Sequence, residues 1–133
     1  MGYITHARGV IRIVPPLTNR EMQGSPFMPD VARQRGTDRD VMFQVETQEV
    51  ETEDGWLFKR TATGIVSSWE DESRNYNIVE HLQELVDRHG AGREFVGRFD
   101  MEGEESGDVW RLKVVDGRAT RFDPTVVWPE GSE

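Results

Sequence analysis

One stretch of the chain leaves its secondary structure little choice. Ile78, Val79, Leu82, Leu85 and Val86 recur at the spacing that puts them on a single helical stripe, while Glu80, Gln83, Glu84, Asp87 and Arg88 face away from it. Glu84 and Arg88 stand in the favourable i,i+4 order. Asn77 takes the N-cap position with Glu80 three residues on, a box-like arrangement, and Gly90 is a natural C-terminal stop. The pattern predicts one main helix, about 77–89, that must lay its apolar stripe on a sheet.

Most of the remaining chain reads as strands. Residues 3–14 form the first, with Ile11 and Ile13 on the face of Tyr3 and with Arg8 and Arg12 opposite. Pro15-Pro16 remove two donors and are expected to end its pairing, and Gly9 marks a bulge or a close backbone approach. Thr18 with Glu21 makes a capping box for a short helix, and a second helical turn over 30–34 has Asp30 as its cap. Residues 36–40 read as an exposed polar loop. Val41, Phe43, Val45 and Thr47 then alternate with polar neighbours, Glu53-Asp54-Gly55 turns, and residues 56–69 run back.

After the helix comes a meander. Phe95, Gly97, Phe99 and Met101 alternate, residues 102–108 form a Gly- and Glu-rich loop, and Trp110, Leu112 and Val114 share a face. Asp116-Gly117 is the strongest hairpin turn in the chain, residues 118–122 return from it, and 125–128 read as a short edge strand. The expected fold class is therefore α+β: a mainly antiparallel sheet of five to six strands, with the main helix and one short helix on one face. The first elements fit a ferredoxin-like order, β-α-β-β-α-β, followed by extra strands. Residues 1–128 are expected to form a single domain and 129–133 a flexible tail.

Composition narrows the functional classes. The 133 residues include no cysteine, which removes disulfides, zinc thiolate sites and a cysteine nucleophile. No apolar run approaches the roughly 20 residues that span a bilayer, and the first residues lack a signal-peptide layout, so a soluble cytoplasmic protein with no membrane partner is expected. A formal charge of −9 argues against direct nucleic-acid binding and admits the reverse, an acidic nucleic-acid mimic that occupies a basic host protein. Glu46, Glu49, Glu51, Glu53 and Asp54 would supply that acidic hairpin, or would simply be a solvated hairpin tip.

No catalytic or cofactor motif is present, so catalytic residues and cofactors are expected to be none. The three histidines, His6, His81 and His89, are too scattered for metal spacing and read as structural or surface residues. Two acidic clusters remain, Glu70-Asp71-Glu72 before the helix and Asp100, Glu102, Glu104, Glu105 and Asp108 about the Gly-rich loop. They admit a metal-dependent hydrolase, but they lack the spacing of a calcium loop. Trp56, Trp69, Trp110 and Trp128 read as core or core edge, with Trp69 the one to suspect of lining a pocket or meeting a partner. The candidate surface for an unknown protein or small ligand is thus Trp69, Glu70, Glu72, Tyr76, Glu102, Glu104, Glu105 and Asp108.

Three separated segments carry a resemblance: MGYITHARGVIRIVPPLT, SWEDESRNYNIVEHLQELVD and FVGRFDMEGEESGDVWRLKVVDGRATRF. In that order they resemble a family of small uncharacterised actinobacterial and bacteriophage proteins. Those proteins open with M-G-Y-x-T and an I-x-P-P-L element, carry a W-E-D/G-x-E segment before a helix, and close with G-E-E-x-G-D/G and a V-x-D-G/N hairpin. The resemblance implies no biochemistry. It implies a phage or mobile-element setting, and with it an accessory or host-interaction role.

Overall fold

A computed structural model describes residues 3–34, 39–69 and 75–129. The elements in chain order are β1 (Thr5–Arg8), β2 (Ile11–Thr18), α1 (Asn19–Met22), α2 (Pro29–Ala32), β3 (Val41–Thr52), β4 (Gly55–Ser67), α3 (Ile78–His89), β5 (Glu94–Gly97), β6 (Phe99–Gly103), β7 (Val109–Val115) and β8 (Arg118–Phe122). The α+β class and the antiparallel pairing hold. The eight strands form two four-stranded sheets, β1-β6-β7-β8 and β3-β4-β2-β5, where the sequence pattern suggested one sheet of five to six. All six strand pairs that join them are antiparallel. The ferredoxin-like order does not become a ferredoxin-like sheet, because its strands are divided between two sheets.

The division comes from a paired corner. The expected first strand breaks after Arg8, and its two halves enter different sheets; the strand over 94–103 breaks in the same way at Arg98. Arg8 pairs with Asp100 in one sheet and Ile11 with Gly97 in the other, so the same two chain segments run side by side through both sheets and bend together. Gly9 and Gly97 sit at the bend with φ of 110° and 115°, backbone that side chains with a Cβ rarely adopt. Gly9 therefore marks a corner, as a glycine interrupting a strand pattern often does.

Pro15-Pro16 do not end β2. The register with β4 shifts between Arg12 and Leu17, which lets the prolines bulge out before pairing resumes at Leu17–Ala62 and Thr18–Thr61. The capping box at Thr18 and Glu21 forms as the sequence indicates, with both of its hydrogen bonds present. In α2 the cap position falls on Met28 and Pro29 takes the first turn, so Asp30 lies inside the helix. Residues 125–128 add no strand. The Asp116-Gly117 turn has the expected positive φ at both residues, 50° and 77°.

A single apolar cluster joins both sheets and the helix. Ile11, Leu17, Phe43 and Ile65 come from one sheet, Phe99, Met101 and Leu112 from the other, and Ile78, Leu82, Leu85 and Val86 from α3. The helical stripe read from the sequence is thus the buried face. Truncating a fully buried leucine such as Leu82 or Leu85 to alanine costs about 2–5 kcal/mol through lost transfer energy and the cavity left behind. Among the described residues no helix is long and apolar enough to cross a membrane.

Candidate functional site

The lead-in to α3 is organised by Asp40, a residue the sequence pattern placed in an exposed loop. Asp40 is buried, at 8 % exposure. Its Oδ1 accepts the Trp69 indole N–H at 2.9 Å, and its Oδ2 accepts the Asn77 backbone N–H at 2.8 Å. Its own N–H is donated to His81 Nδ1 at 2.9 Å. Because Nδ1 is an acceptor there, the 3.7 Å approach of the same nitrogen to Asp40 Oδ2 is proximity and not a hydrogen bond. Asp40 therefore does for the start of α3 what the Asn77 side chain was expected to do, since Asn77 makes no side-chain capping bond. The bond crosses 37 positions in sequence, so no local capping signature announces it.

This arrangement assigns Trp69 a structural task, because the half-buried indole has its donor satisfied from within the chain. Asn75 supports it. Buried and in the left-handed region at φ 48°, it donates its amide to the Thr5 carbonyl at 2.7 Å, and its Oδ1 accepts from Ser67 Oγ at 3.3 Å. Glu70 and Glu72, with Asp71, lie outside the described residues. Tyr76 projects outward at 54 % exposure.

The acidic loop over 102–108 is held from the other side of β1. Tyr3 Oη donates to the Asp108 carboxylate and accepts the Glu105 backbone N–H at 3.0 Å. The carboxylate accepting its proton raises the Tyr3 pKa above the ordinary 10.0, and the Glu105 N–H partly offsets this. Thr5, which receives the Asn75 amide, pairs with Gly103 at the base of the same loop. So β1 joins the described end of the helix lead-in to the loop. Glu102, Glu104 and Glu105 remain exposed there, with Asp108 half-buried under Tyr3. Among the described residues no three His, Asp or Glu side chains are grouped to hold a metal.

The largest departure from the sequence reading is the hairpin of β3 and β4. Its β2 partner leaves at Thr18–Thr61, and from there to the turn, among the described residues, the hairpin pairs only with itself, from Thr47–Arg60 to Thr52–Gly55. Trp56, Leu57 and Phe58 lie on this arm at 61 %, 48 % and 59 % exposure, although Trp56 was expected at the core or its edge. Trp56 and Phe58 share one face in a T-shaped contact, centroids 5.0 Å apart, and Leu57 stands opposite Val50 on the other. Trp128 is also outside the core, at 75 % exposure. Aromatic β-formers look alike in sequence whether a second layer covers them or not, which is why the pattern misplaced these residues.

The outer face of the β1-β6-β7-β8 sheet carries mixed charge. Asp100 accepts there from Arg98 at 3.1 Å and Arg111 at 3.0 Å, while on the core-facing side of the same sheet Arg121 stacks on the half-buried Trp110 at 4.3 Å from its ring centre. A shallow groove of about 530 Å³ runs there between Arg8, Trp110, Arg111, Phe122 and Asp123. A separate Ser25–His89 pair, with Oγ 3.0 Å from Nε2, is packed beneath Phe27 and Phe43, and His89 lies edge-on to both rings. Ser25 Oγ also accepts the Phe27 N–H at 3.3 Å, so the pair pins the α1–α2 connection to the end of α3.

No curated protein and no solved structure matches the chain. A family profile does, over residues 1–133, and the chain thus belongs to a family of unknown function, DUF6205.

Proposed function

We propose that this protein works by binding a protein partner and not by catalysis, and that the β3–β4 arm is its contact element. The observation that carries this reading is the run Trp56, Leu57 and Phe58, three consecutive large apolar residues exposed on the two faces of a hairpin arm that extends beyond its pairing with β2. Trp56 and Phe58 lie on one face and Leu57 on the other. A two-stranded hairpin is marginal by itself in water. One that holds aromatic residues away from the core gains most from a partner that covers them. The resemblance to actinobacterial and phage proteins favours the same kind of accessory role. The hairpin's acids are accompanied by Lys59 and Arg60 on the returning strand, which weakens the nucleic-acid mimic as an alternative.

Photo-crosslinking from position 57, in extracts of the cells that make the protein, tests the contact. Adducts should form from Leu57 and be lost when Trp56 and Phe58 are changed to serine. A crosslinker at Lys113, on the outer face of β7, should form none. Equal labelling from both positions would contradict the assignment.

A second reading keeps the surface picked from the sequence, in which Tyr76, Glu102, Glu104, Glu105 and Asp108 contact a ligand together with Trp69, Glu70 and Glu72. It is favoured by one observation, the link through β1 in which Asn75 binds Thr5 and Tyr3 binds Asp108. Tyr76→Ala with Glu104→Gln separates the two readings. It should abolish binding under this reading and leave it intact if the arm is the contact.

A further inference from the structure

Resting on the arm as a contact element, we infer that the partner of the β4 edge is a second copy of this chain, joined by two-fold antiparallel pairing centred on Leu57. The open edge sets the register. Pairing with β2 occupies β4 from Thr61 onward, and α1, which follows β2 directly, packs against β4 as well; among the described residues no strand pairs with 55–60 on that side. A two-fold axis perpendicular to the sheet sets residues of like parity opposite one another, with their side chains on one face. Centred on Leu57, it brings Leu57 onto Leu57 of the second copy, Trp56 onto Phe58, and Arg60 onto Asp54, and it displaces nothing from β2. Shifted by one residue to Phe58, it would oppose Gly55 to Thr61, which β2 already holds.

Charge selects this edge over the other. The outer edge of β3 carries Glu46, Glu49 and Glu51, so two copies would meet there as like charges. The same symmetry brings opposite charges together twice, Arg60 of β4 with Asp54 of the turn that precedes the strand, and neither residue makes an ion pair with another described residue. On one face, the two Trp56–Phe58 pairs form a four-ring aromatic cluster. On the other, Leu57 and Val50 of both copies come together.

Sedimentation of the full chain with charge reversals tests the register. The wild type should dimerise reversibly at concentrations up to about 0.1 mM. Asp54→Arg alone and Arg60→Asp alone each set like charges together twice, and each should weaken the dimer at least about tenfold. Mixing the two variants restores both opposite-charge pairs, so the mixture should form a heterodimer of near wild-type affinity, as should the chain carrying both changes. A wild type that stays monomeric, reversals without effect, or a mixture that stays monomeric would overturn the self-pairing. None of these outcomes touches the arm as a contact for another protein, because the crosslinks from Leu57 to that protein would persist.

Discussion

Gly9 and Gly97 hold the corner between the two sheets by leaving room for each other's strand. A side chain on Gly9 would come within 2.6 Å of the Arg98 carbonyl oxygen, and one on Gly97 within 2.6 Å of the Val10 carbonyl oxygen. Both obstacles are backbone, which cannot step aside without undoing the strand pairs on either side of the bend. Gly9→Ala and Gly97→Ala should each lower the unfolding free energy by about 2–4 kcal/mol, since strained positive φ and an unrelieved clash act together. Urea denaturation measures it. Gly92→Ala, with open space around its Cβ position, is the control for the positive-φ cost alone.

Asp40 ties three segments, and removing it leaves the Trp69 indole and the Asn77 N–H without their acceptor. Asp40→Ala should cost about 2–3 kcal/mol, because charge-assisted bonds are lost and their donors stay partly buried. Asp40→Asn keeps one acceptor oxygen and should cost about half as much. Thermal melts followed by Trp69 fluorescence would separate them.

The helix and the turns could be read directly from the residues, whereas the Asp40 contacts could not. The stripe from Ile78 to Val86, the Thr18–Glu21 box and the Asp116-Gly117 turn are local, and each is specified by residues within a few positions of one another. Asp40, Asn75 and Tyr3 act on partners far along the chain, and a single sequence carries no periodic trace of such bonds. The position of the hairpin was hidden for a different reason. Alternation in residues 41–47 correctly marks the buried start of β3, but nothing in Trp56-Leu57-Phe58 reveals that the second layer has ended.

His89 makes stability depend on pH. Burial holds its pKa below the ordinary 6.5, with Arg88 and Arg93 adding to the depression and Glu21 opposing it. The unfolded chain then binds the proton more readily than the folded one, so this contribution is complete above about pH 6.5 and is lost as the pH falls through the folded pKa. The melting temperature should drop between about pH 7 and pH 5, and His89→Gln, which keeps an acceptor for Ser25, should flatten that drop. Glu21, with its pKa lowered by the Thr18 N–H and by Arg93, titrates below this window and should not obscure it.

Ser68 carries a buried hydroxyl with no hydrogen-bond partner among the described residues. Ser68→Ala removes that hydroxyl at little cost in volume. The variant should be as stable as the wild type or up to about 1 kcal/mol more stable, as chemical denaturation would show.

The arm gives the most direct measurement of all, amide hydrogen exchange of residues 55–60 followed across protein concentration. If the arm is held out for a contact, these amides exchange quickly in dilute protein and become protected as the protein is concentrated, while the core strands β6 and β7 stay protected throughout. Exchange at 55–60 that is equally fast at every concentration, and unchanged by cell extract, would contradict a contact role for Trp56, Leu57 and Phe58.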